Sequence, residues 1–217
     1  MRYGMVIDLK KCIGCYGCQI FCKTENATPP GMLWSRVFMF EFGSYPTVEK
    51  RPLPVLCMHC GVPECVNVCP TGASVKRPDG IVTVDRDKCT GCLNCLMACP
   101  YGARDLFLEN VEYFPGQGLT PYEKLGYRRH TLGVVGKCDF CLHRIGKGLE
   151  PACVKNCMAK ARYFGDLDDP DSEVSQLILT RVAFQASPTV RPGVAKKPEM
   201  DPSVYYLAIK RGDNAIE

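Results

Sequence analysis

The chain has 217 residues, a formal net charge of +4 and ordinary hydrophobic (46%) and charged (23%) fractions, which predicts one folded domain or two small ones that share a core. No apolar stretch approaches the ~18 residues that a membrane-spanning helix needs, so composition excludes a membrane span. Sixteen residues are cysteine, and because a chain of this length does not need crosslinks to fold, this density predicts a chemical role.

The predicted elements begin with a short strand over Tyr3–Asp8. A second strand is predicted for Arg36–Tyr45 (RVFMFEFGSY), whose aromatics, with Trp34, are expected to pack a core. A β-hairpin is predicted within Ala73–Asp85, with its turn at Pro78-Asp79-Gly80. One helical turn that ends at a proline is predicted for Asn94–Cys99.

Loops are predicted at Pro29–Gly31 and Pro115–Pro121. After Gly165, a short helix is predicted around Glu173–Phe184, followed by a solvated loop that contains Lys196-Lys197. A final segment, Val204–Leu207, completes a tail that is expected to wrap the core or to contact a partner.

The N-terminal segment reaches Asp8 after only a short apolar run. This pattern is not that of a signal-peptide core. We therefore expect that export, if it occurs, depends on a partner.

The cysteines fall into four groups of four, each of which opens with C-x2-C and closes with C-x3-C. Repetition of one plan predicts an internally duplicated architecture. In chain order, the groups are Cys12, Cys15, Cys18 and Cys22; Cys57, Cys60, Cys65 and Cys69; Cys89, Cys92, Cys95 and Cys99; and Cys138, Cys141, Cys153 and Cys157.

Groups one and three have the spacing C-x2-C-x2-C-x3-C, followed in group three by Pro100. In bacterial ferredoxins the first three cysteines of this pattern bind one [4Fe–4S] cubane and the fourth binds another. Gly14, Gly17 and Gly91 lie inside these loops, where the missing Cβ permits positive φ and close backbone approach. Four cubanes at about −2 each would reverse the net charge to about −4, so the basic composition indicates neither a nucleic-acid partner nor a membrane surface, and no nucleic-acid partner is predicted.

The groups are predicted to work in interlocked pairs. Groups two and three flank the predicted hairpin, as in a two-cluster ferredoxin, which leaves groups one and four to pair around the outside. Every cubane then receives four ligands and no cysteine remains. The predicted ligands are Cys12, Cys15, Cys18 and Cys157 (site 1); Cys22, Cys138, Cys141 and Cys153 (site 2); Cys57, Cys60, Cys65 and Cys99 (site 3); and Cys69, Cys89, Cys92 and Cys95 (site 4).

The predicted fold class is α+β, with two ferredoxin-like subdomains related by internal duplication, loop-rich insertions and a C-terminal tail. Residues 1–52 and 101–169 form the predicted outer subdomain, which holds groups one and four. Residues 53–100 form the predicted inner subdomain, which holds groups two and three, and residues 170–217 form the C-terminal extension.

Two other uses of cysteine compete with iron. A disulfide scaffold requires an oxidising compartment, for which the sequence offers no signal peptide. A zinc ribbon matches group four taken alone but not groups one and three.

His59, between two cysteines of group two, is expected to donate a hydrogen bond near a cluster rather than to bind iron, and His130 and His143 are expected in similar or surface roles. No catalytic constellation or nucleotide motif is present, so no catalytic residue is predicted.

In the order and spacing of these groups, the sequence resembles the four-cluster beta subunits of the molybdopterin oxidoreductase complexes of the dimethyl sulfoxide reductase family. The resemblance covers about residues 1–165 and extends to Pro202–Leu207. It implies an electron-transfer subunit that performs no substrate chemistry itself. Its expected partners are a catalytic subunit with a molybdenum or tungsten bis-pterin cofactor and a membrane subunit that exchanges electrons with quinol.

The resemblance also implies an order for the sites. Site 1 is expected to face the catalytic subunit, followed by sites 2 and 3, with site 4 nearest the membrane partner. Some relatives replace the second cysteine of group three and hold a three-iron cluster, but here that residue is Cys92, so four cubanes are expected. Relatives often cross the membrane folded with the catalytic subunit, which favours a periplasmic, membrane-associated location over a cytoplasmic one.

The same cysteine pattern could serve a free ferredoxin or an enzyme. A free multi-cluster ferredoxin would be a diffusible carrier, whereas apolar surface on the Arg36–Tyr45 strand and the long tail favour a complex-bound subunit. A radical or reductase enzyme would need an open iron position, and all sixteen cysteines are committed.

Overall fold

The computed structural model describes residues 1–186 and 200–209, which form a mixture of short helices and strands. The strands are β1 (Tyr3–Asp8), β2 (Ser35–Phe42), β3 (Glu49–Leu56), β4 (Ser74–Lys76), β5 (Val82–Val84), β6 (Asp105–Phe107), β7 (Val134–Gly136), β8 (Arg162–Asp166), β9 (Ala183–Gln185) and β10 (Val204–Leu207). The helices are α1 (Gly17–Asn26), α2 (Glu64–Asn67), α3 (Asn94–Ala98), α4 (Pro121–Gly126), α5 (Leu142–Ile145), α6 (Ala152–Lys155) and α7 (Glu173–Thr180), with a 3-10 turn over Tyr127–Arg129. The predicted α+β class is confirmed.

The main sheet brings the two ends of the chain together in the order β8-β1-β10-β9. Strand β1 pairs antiparallel with β8 and parallel with β10. Its apolar residues are fully buried on both faces, because Met5 and Ile7 belong to the larger core cluster while Val6 packs with Val174 of α7. The tail segment Val204–Leu207 is therefore a strand of the central sheet.

Among the described residues, three antiparallel hairpins complete the strands: β2–β3, β4–β5 and β6–β7. The hairpin predicted around Pro78-Asp79-Gly80 is confirmed as β4–β5. Strand β2 begins at Ser35 and ends at Phe42, close to the prediction, but its partner β3 was not predicted. Strand β3 contains Pro52 and Pro54, and it tolerates them because its pairing with β2 alone leaves a free edge that needs no N–H donors.

The expectation that the aromatics of β2 pack a core is wrong. Phe38 and Phe40 are 37% and 41% exposed, because a two-stranded sheet cannot bury both of its own faces. Trp34, just before the strand, does pack against the larger core cluster. The hairpin thus presents aromatic surface outward.

Helix α7 is shorter than predicted. Its first residue follows Ser172, whose Oγ accepts a hydrogen bond from the Ser175 N–H, and it ends at Thr180, before β9 begins at Ala183. The predicted loop at Lys196-Lys197 and the rest of residues 187–199 and 210–217 lie outside the described residues. In residues 1–186 and 200–209, no helix has the length and apolar character needed to cross a membrane.

Tyr206 joins the C-terminal strand to the first hairpin, because its buried hydroxyl donates to the carbonyl of Pro54 at 2.8 Å. Tyr206→Phe removes this donor inside the core, so we expect the free energy of unfolding to fall by about 1–3 kcal/mol. Urea unfolding followed by circular dichroism measures it. Tyr205→Phe, on the opposite face of β10, is the control; equal midpoints for the two variants would contradict this role for the hydroxyl.

Candidate iron–sulfur centres

All four cysteine groups share one backbone feature. The residue just before the second cysteine has a left-handed conformation in every group: Gly14 (φ 67°), His59 (φ 43°), Gly91 (φ 68°) and Phe140 (φ 55°). This conformation turns the chain sharply between the two cysteines of each C-x2-C motif. Groups one and three share a second such residue after that cysteine, at Tyr16 and Leu93 (φ 58° and 66°).

The positive φ expected at Gly17 is wrong, because Tyr16 takes that conformation and Gly17 begins α1. Gly17 instead permits a close approach, since a Cβ there would lie 3.4 Å from the sulfur of Cys15. Gly14 has a positive φ and also permits a close approach, since a Cβ there would lie 3.1 Å from Met39 Sδ and 3.2 Å from Pro52. The β2–β3 hairpin therefore packs directly over the group-one loop.

The cysteines that close each group lie on or beside short helices. Cys18 and Cys22 lie on α1, Cys65 on α2, Cys95 on α3 and Cys153 on α6. Helix α1 packs against α6, and α2 packs against α3. These two contacts bring group one beside group four and group two beside group three.

The cysteines assigned to site 1 line a single cavity. Cys12, Cys15, Cys18 and Cys157 all border it, with Ile13 and Tyr16 at its edge. The backbone N–H of Ala161 donates to the sulfur of Cys157 at 3.3 Å. Burial, and then the neighbouring Cys18 and Cys157, raise the pKa of the Cys12 thiol.

The cysteines assigned to site 2 are deeply buried and influence one another. The pKa of Cys22 is raised by burial and then by Cys153 and Cys141, and that of Cys138 by burial and then by Cys22, Cys57 and Cys153. The side-chain amide of Asn26 lies 3.5 Å from the sulfur of Cys22 and 3.9 Å from that of Cys141. Sequence reasoning missed Asn26; its one signal is the i+4 spacing from Cys22 on α1.

At site 3, burial and the proximity of its three predicted co-ligands, Cys57, Cys65 and Cys99, raise the pKa of Cys60. At site 4, the hydrogen bonds to sulfur among the described residues are those to Cys69. Burial alone would raise the pKa of Cys69, but hydrogen bonds from the Ser74 backbone and from Thr71 outweigh it and lower the pKa to about 7. Cys92 lies exposed on its loop, and site 4 is linked to group two through the packing of α3 on α2.

Free thiols with raised pKa values would carry little negative charge, whereas iron ligands are thiolates. A cluster resolves this conflict, because its positive iron atoms replace the protons and deprotonate the thiols they bind. None of the sixteen cysteines forms a disulfide. In residues 1–186 and 200–209, no three His, Cys, Asp or Glu side chains converge on a single-ion site; a cubane does not require this, because each cysteine binds a different iron atom.

Two buried N–H donors, on His59 and Arg104, show that the residues around the cysteines suit an iron–sulfur cluster. The Val82 N–H donates to His59 Nδ1 at 3.1 Å, and burial, with Lys137 and Arg104 nearby, holds the pKa of His59 well below its usual value. The ring is therefore neutral with its proton on Nε2. Among the described residues neither His59 Nε2 nor Arg104 Nη2 has a protein partner, and cluster sulfide is an acceptor that fits both donors.

His130 and His143 contact residues other than cysteines. His130 Nε2 contacts the Asn26 carbonyl at 2.9 Å and its ring stacks on Phe107. His143 Nε2 lies 2.7 Å from Glu25 Oε1, and the same carboxylate also pairs with Arg144. Neither histidine joins a cysteine group.

Comparison with known proteins agrees with this geometry. A family described as "4Fe-4S dicluster domain" matches residues 48–111 and 109–167, and one described as "4Fe-4S binding domain" matches residues 9–25. The putative dimethyl sulfoxide reductase iron-sulfur subunit of Halobacterium salinarum is 42% identical over 95% of this chain and 79% of its own length. A selenate reductase subunit of Mesobacillus selenatarsenatis is 42% identical over 95% and 72%. The arsenate respiratory reductase iron-sulfur subunit of a Shewanella strain is 40% identical over 95% and 96%.

Gly91 tests the close packing of the group-three loop. A Cβ at this residue would lie 2.2 Å from the carbonyl oxygen of Gly133, so Gly91→Ala must displace one loop from the other. Gly72 has a similar φ of +65° but open space around it, so Gly72→Ala carries only the backbone cost of about 1–2 kcal/mol. We expect Gly91→Ala to lose iron faster than Gly72→Ala on mild heating, measured as iron retained per chain; equal loss would show that backbone strain alone matters.

Proposed function

The chain belongs to the family of iron–sulfur subunits of dimethyl sulfoxide reductase-type complexes, and from this premise we propose that it carries electrons through four [4Fe–4S] clusters between two partners. One partner is a catalytic subunit with a molybdenum or tungsten pterin cofactor. The other is a membrane subunit that reacts with quinone. The chain itself is an electron-transfer subunit and not a catalytic one.

The observation that carries the proposal is the mutual influence of the cysteines within and between sites. Within sites 1, 2 and 3, thiol pKa values respond to the predicted co-ligands. Between sites, Cys18 of site 1 raises the pKa of Cys153 of site 2, and Cys57 of site 3 raises that of Cys138 of site 2. Such proximity supports a row of sites 1, 2 and 3, and the packing of α3 on α2 extends this row to site 4.

The same residues support the predicted ligand sets. When bound, the four clusters supply the redox chemistry, and the protein supplies thiolates, N–H donors and a dry interior. The left-handed residue common to all four groups supports internal duplication into two ferredoxin-like subdomains. We propose residues 1–52 with 101–169 as the outer one and 53–100 as the inner one; strand β3 runs across the boundary at residue 52.

Exposed apolar residues beside site 1 support its proposed contact with the catalytic subunit. Ile13 is 68% exposed, and Tyr16, Ile20 and Phe21 on the same loop and helix are also exposed. Ile13 and Tyr16 border the site 1 cavity as well, so a protein bound there would approach the cluster closely. Together with the aromatic face of β2, this surface favours a complex-bound subunit over a free ferredoxin. We propose a membrane-associated location, reached by co-export with the catalytic subunit.

Copurification from native cells tests the complex. We expect the tagged chain to retain a pterin-containing subunit, and Ile13→Asp to weaken that association because it places a charge in an apolar interface. Leu179→Asp, 74% exposed on α7, is the matched control and should copurify normally. A fully loaded monomer without any partner would instead support the diffusible carrier.

Iron and acid-labile sulfide per anaerobically prepared chain test the cluster count. Four cubanes require about sixteen of each. Cys92→Ser should cost about one iron if site 4 keeps a three-iron cluster and about four if site 4 is lost, while the other three sites keep about twelve. The retained iron of this variant distinguishes the proposed sets from a single cooperative unit. Zinc, iron near eight in the unaltered chain, or loss of all iron on substitution of Cys92 would refute the assignment.

A further inference from the structure

Three cationic side chains lie inside the protein, where charge is costly. Arg104, Lys137 and Arg162 are only 3%, 4% and 4% exposed. Within the described part of the chain, none of them forms an ion pair with a carboxylate: their hydrogen-bond partners are carbonyls, hydroxyls and sulfur atoms. A buried cation without a compensating anion would be strongly destabilising, so the negative charge that balances these three must come from the cysteine sites.

Arg162 lies between sites 1 and 2. Arg162 borders the site 1 cavity, and its charge attracts Cys153, a proposed site 2 ligand. It also attracts Cys18 of site 1. Hydrogen bonding to Ser35 Oγ at 3.3 Å holds the guanidinium in this place.

Lys137 lies between sites 2 and 3. Its ammonium donates to the carbonyl oxygens of Val82 and Cys138, the latter at 2.5 Å. Its charge favours the thiolate of Cys138 in site 2 and of Cys65 in site 3. The two carbonyls thus fix an ammonium group that acts on both sites.

Arg104 lies between sites 3 and 4. Its charge attracts Cys65 in site 3 and Cys95 in site 4. Its Nη1 donates to Ser74 Oγ at 2.8 Å, and the Ser74 backbone N–H donates to the sulfur of Cys69 in site 4 at 3.4 Å. Ser74 therefore links Arg104 to a cysteine of site 4.

We propose that Arg162, Lys137 and Arg104 are fixed counter-charges, one at each junction along the row of sites, that raise the reduction potentials of the two clusters they separate. The inference rests on the proposed four-cluster function. Each transfer moves one electron, so the donor site is oxidised, the acceptor site gains one negative charge, and no proton moves. A buried cation between the two stabilises that added charge in a low-dielectric interior, whichever side holds it.

The same three cations also reduce the electrostatic repulsion between neighbouring clusters. Two adjacent reduced sites repel each other, because each carries an added negative charge, so reduction of one cluster would oppose reduction of the next. A cation shared by both offsets that repulsion without moving. The counter-charges would therefore matter for the potentials, and not only for holding the fold.

Redox titration of the purified complex, followed by electron paramagnetic resonance, tests the proposal at its two ends. We expect Arg162→Gln to lower the reduction equilibrium constants of sites 1 and 2 by at least tenfold, which is about 59 mV for a one-electron couple. Arg104→Gln should do the same for sites 3 and 4. The two other sites should stay unchanged in each case. Arg162→Lys and Arg104→Lys, which keep the charge, should restore most of the shift.

Arg144→Gln is the control, because Arg144 pairs with Glu25 and its charge is already balanced. Unshifted potentials in glutamine variants that keep their iron, or equal shifts in all four sites, would overturn the proposal. If a glutamine variant loses its clusters, retention of clusters and potentials by the lysine variant supports it, whereas loss in both overturns it. The unaltered complex distinguishes failure of the proposed function from failure of the counter-charge proposal. Fewer than four clusters in that complex would refute the proposed function. Four clusters there, with unshifted potentials in the variants, would refute only the counter-charges.

Discussion

Sulfur atoms that must carry negative charge when they bind iron lie inside the hydrophobic core of this protein. Cys57, Cys60, Cys99, Cys138 and Cys153 belong to the same cluster of buried side chains as Met5, Ile7 and Phe140. Without iron, burial keeps such thiols protonated, as the raised pKa values of Cys22, Cys60 and Cys138 indicate. The core is therefore complete only when iron supplies positive charge at its centre, which couples folding to cluster binding.

Several features of the fold follow from this constraint. Donors from the backbone of Ala161 and Ser74 and from the side chain of Asn26 point at sulfur, and each favours the charged form of the ligand it contacts. The central sheet pairs the first strand with strands from residues 162–166 and 204–207. Because β8 begins at Arg162, shortly after Cys157, this pairing sets where the last cysteine of group four lies relative to group one.

How much of this could be predicted depended on whether a signal was local. The four groups, the β4–β5 hairpin and strand β1 carry their information in short spacings and turn residues, and the sequence predicts all of them. Strand β3 was missed because two prolines argue against a strand unless its edge is free. The exposure of Phe38 and Phe40 was predicted wrongly because an apolar strand looks the same whether a core or a partner covers it. Asn26 carried only the weak signal of its i+4 spacing from Cys22. Arg104, Lys137 and Arg162 could not be recognised, since only the tertiary fold brings their charges close to cysteines of different groups.

The left-handed residue in each C-x2-C loop shows how one repeated motif serves different positions. Groups one and three place glycine there, which takes this conformation without strain. Groups two and four place His59 and Phe140 there, at a cost of about 1–3 kcal/mol each that the surroundings must offset. Their rings stack on each other with centroids 3.8 Å apart, and both are almost fully buried. This stack joins the loop of Cys57 and Cys60 to the loop of Cys138 and Cys141, so the strained residues hold groups two and four together, where the two proposed subdomains meet.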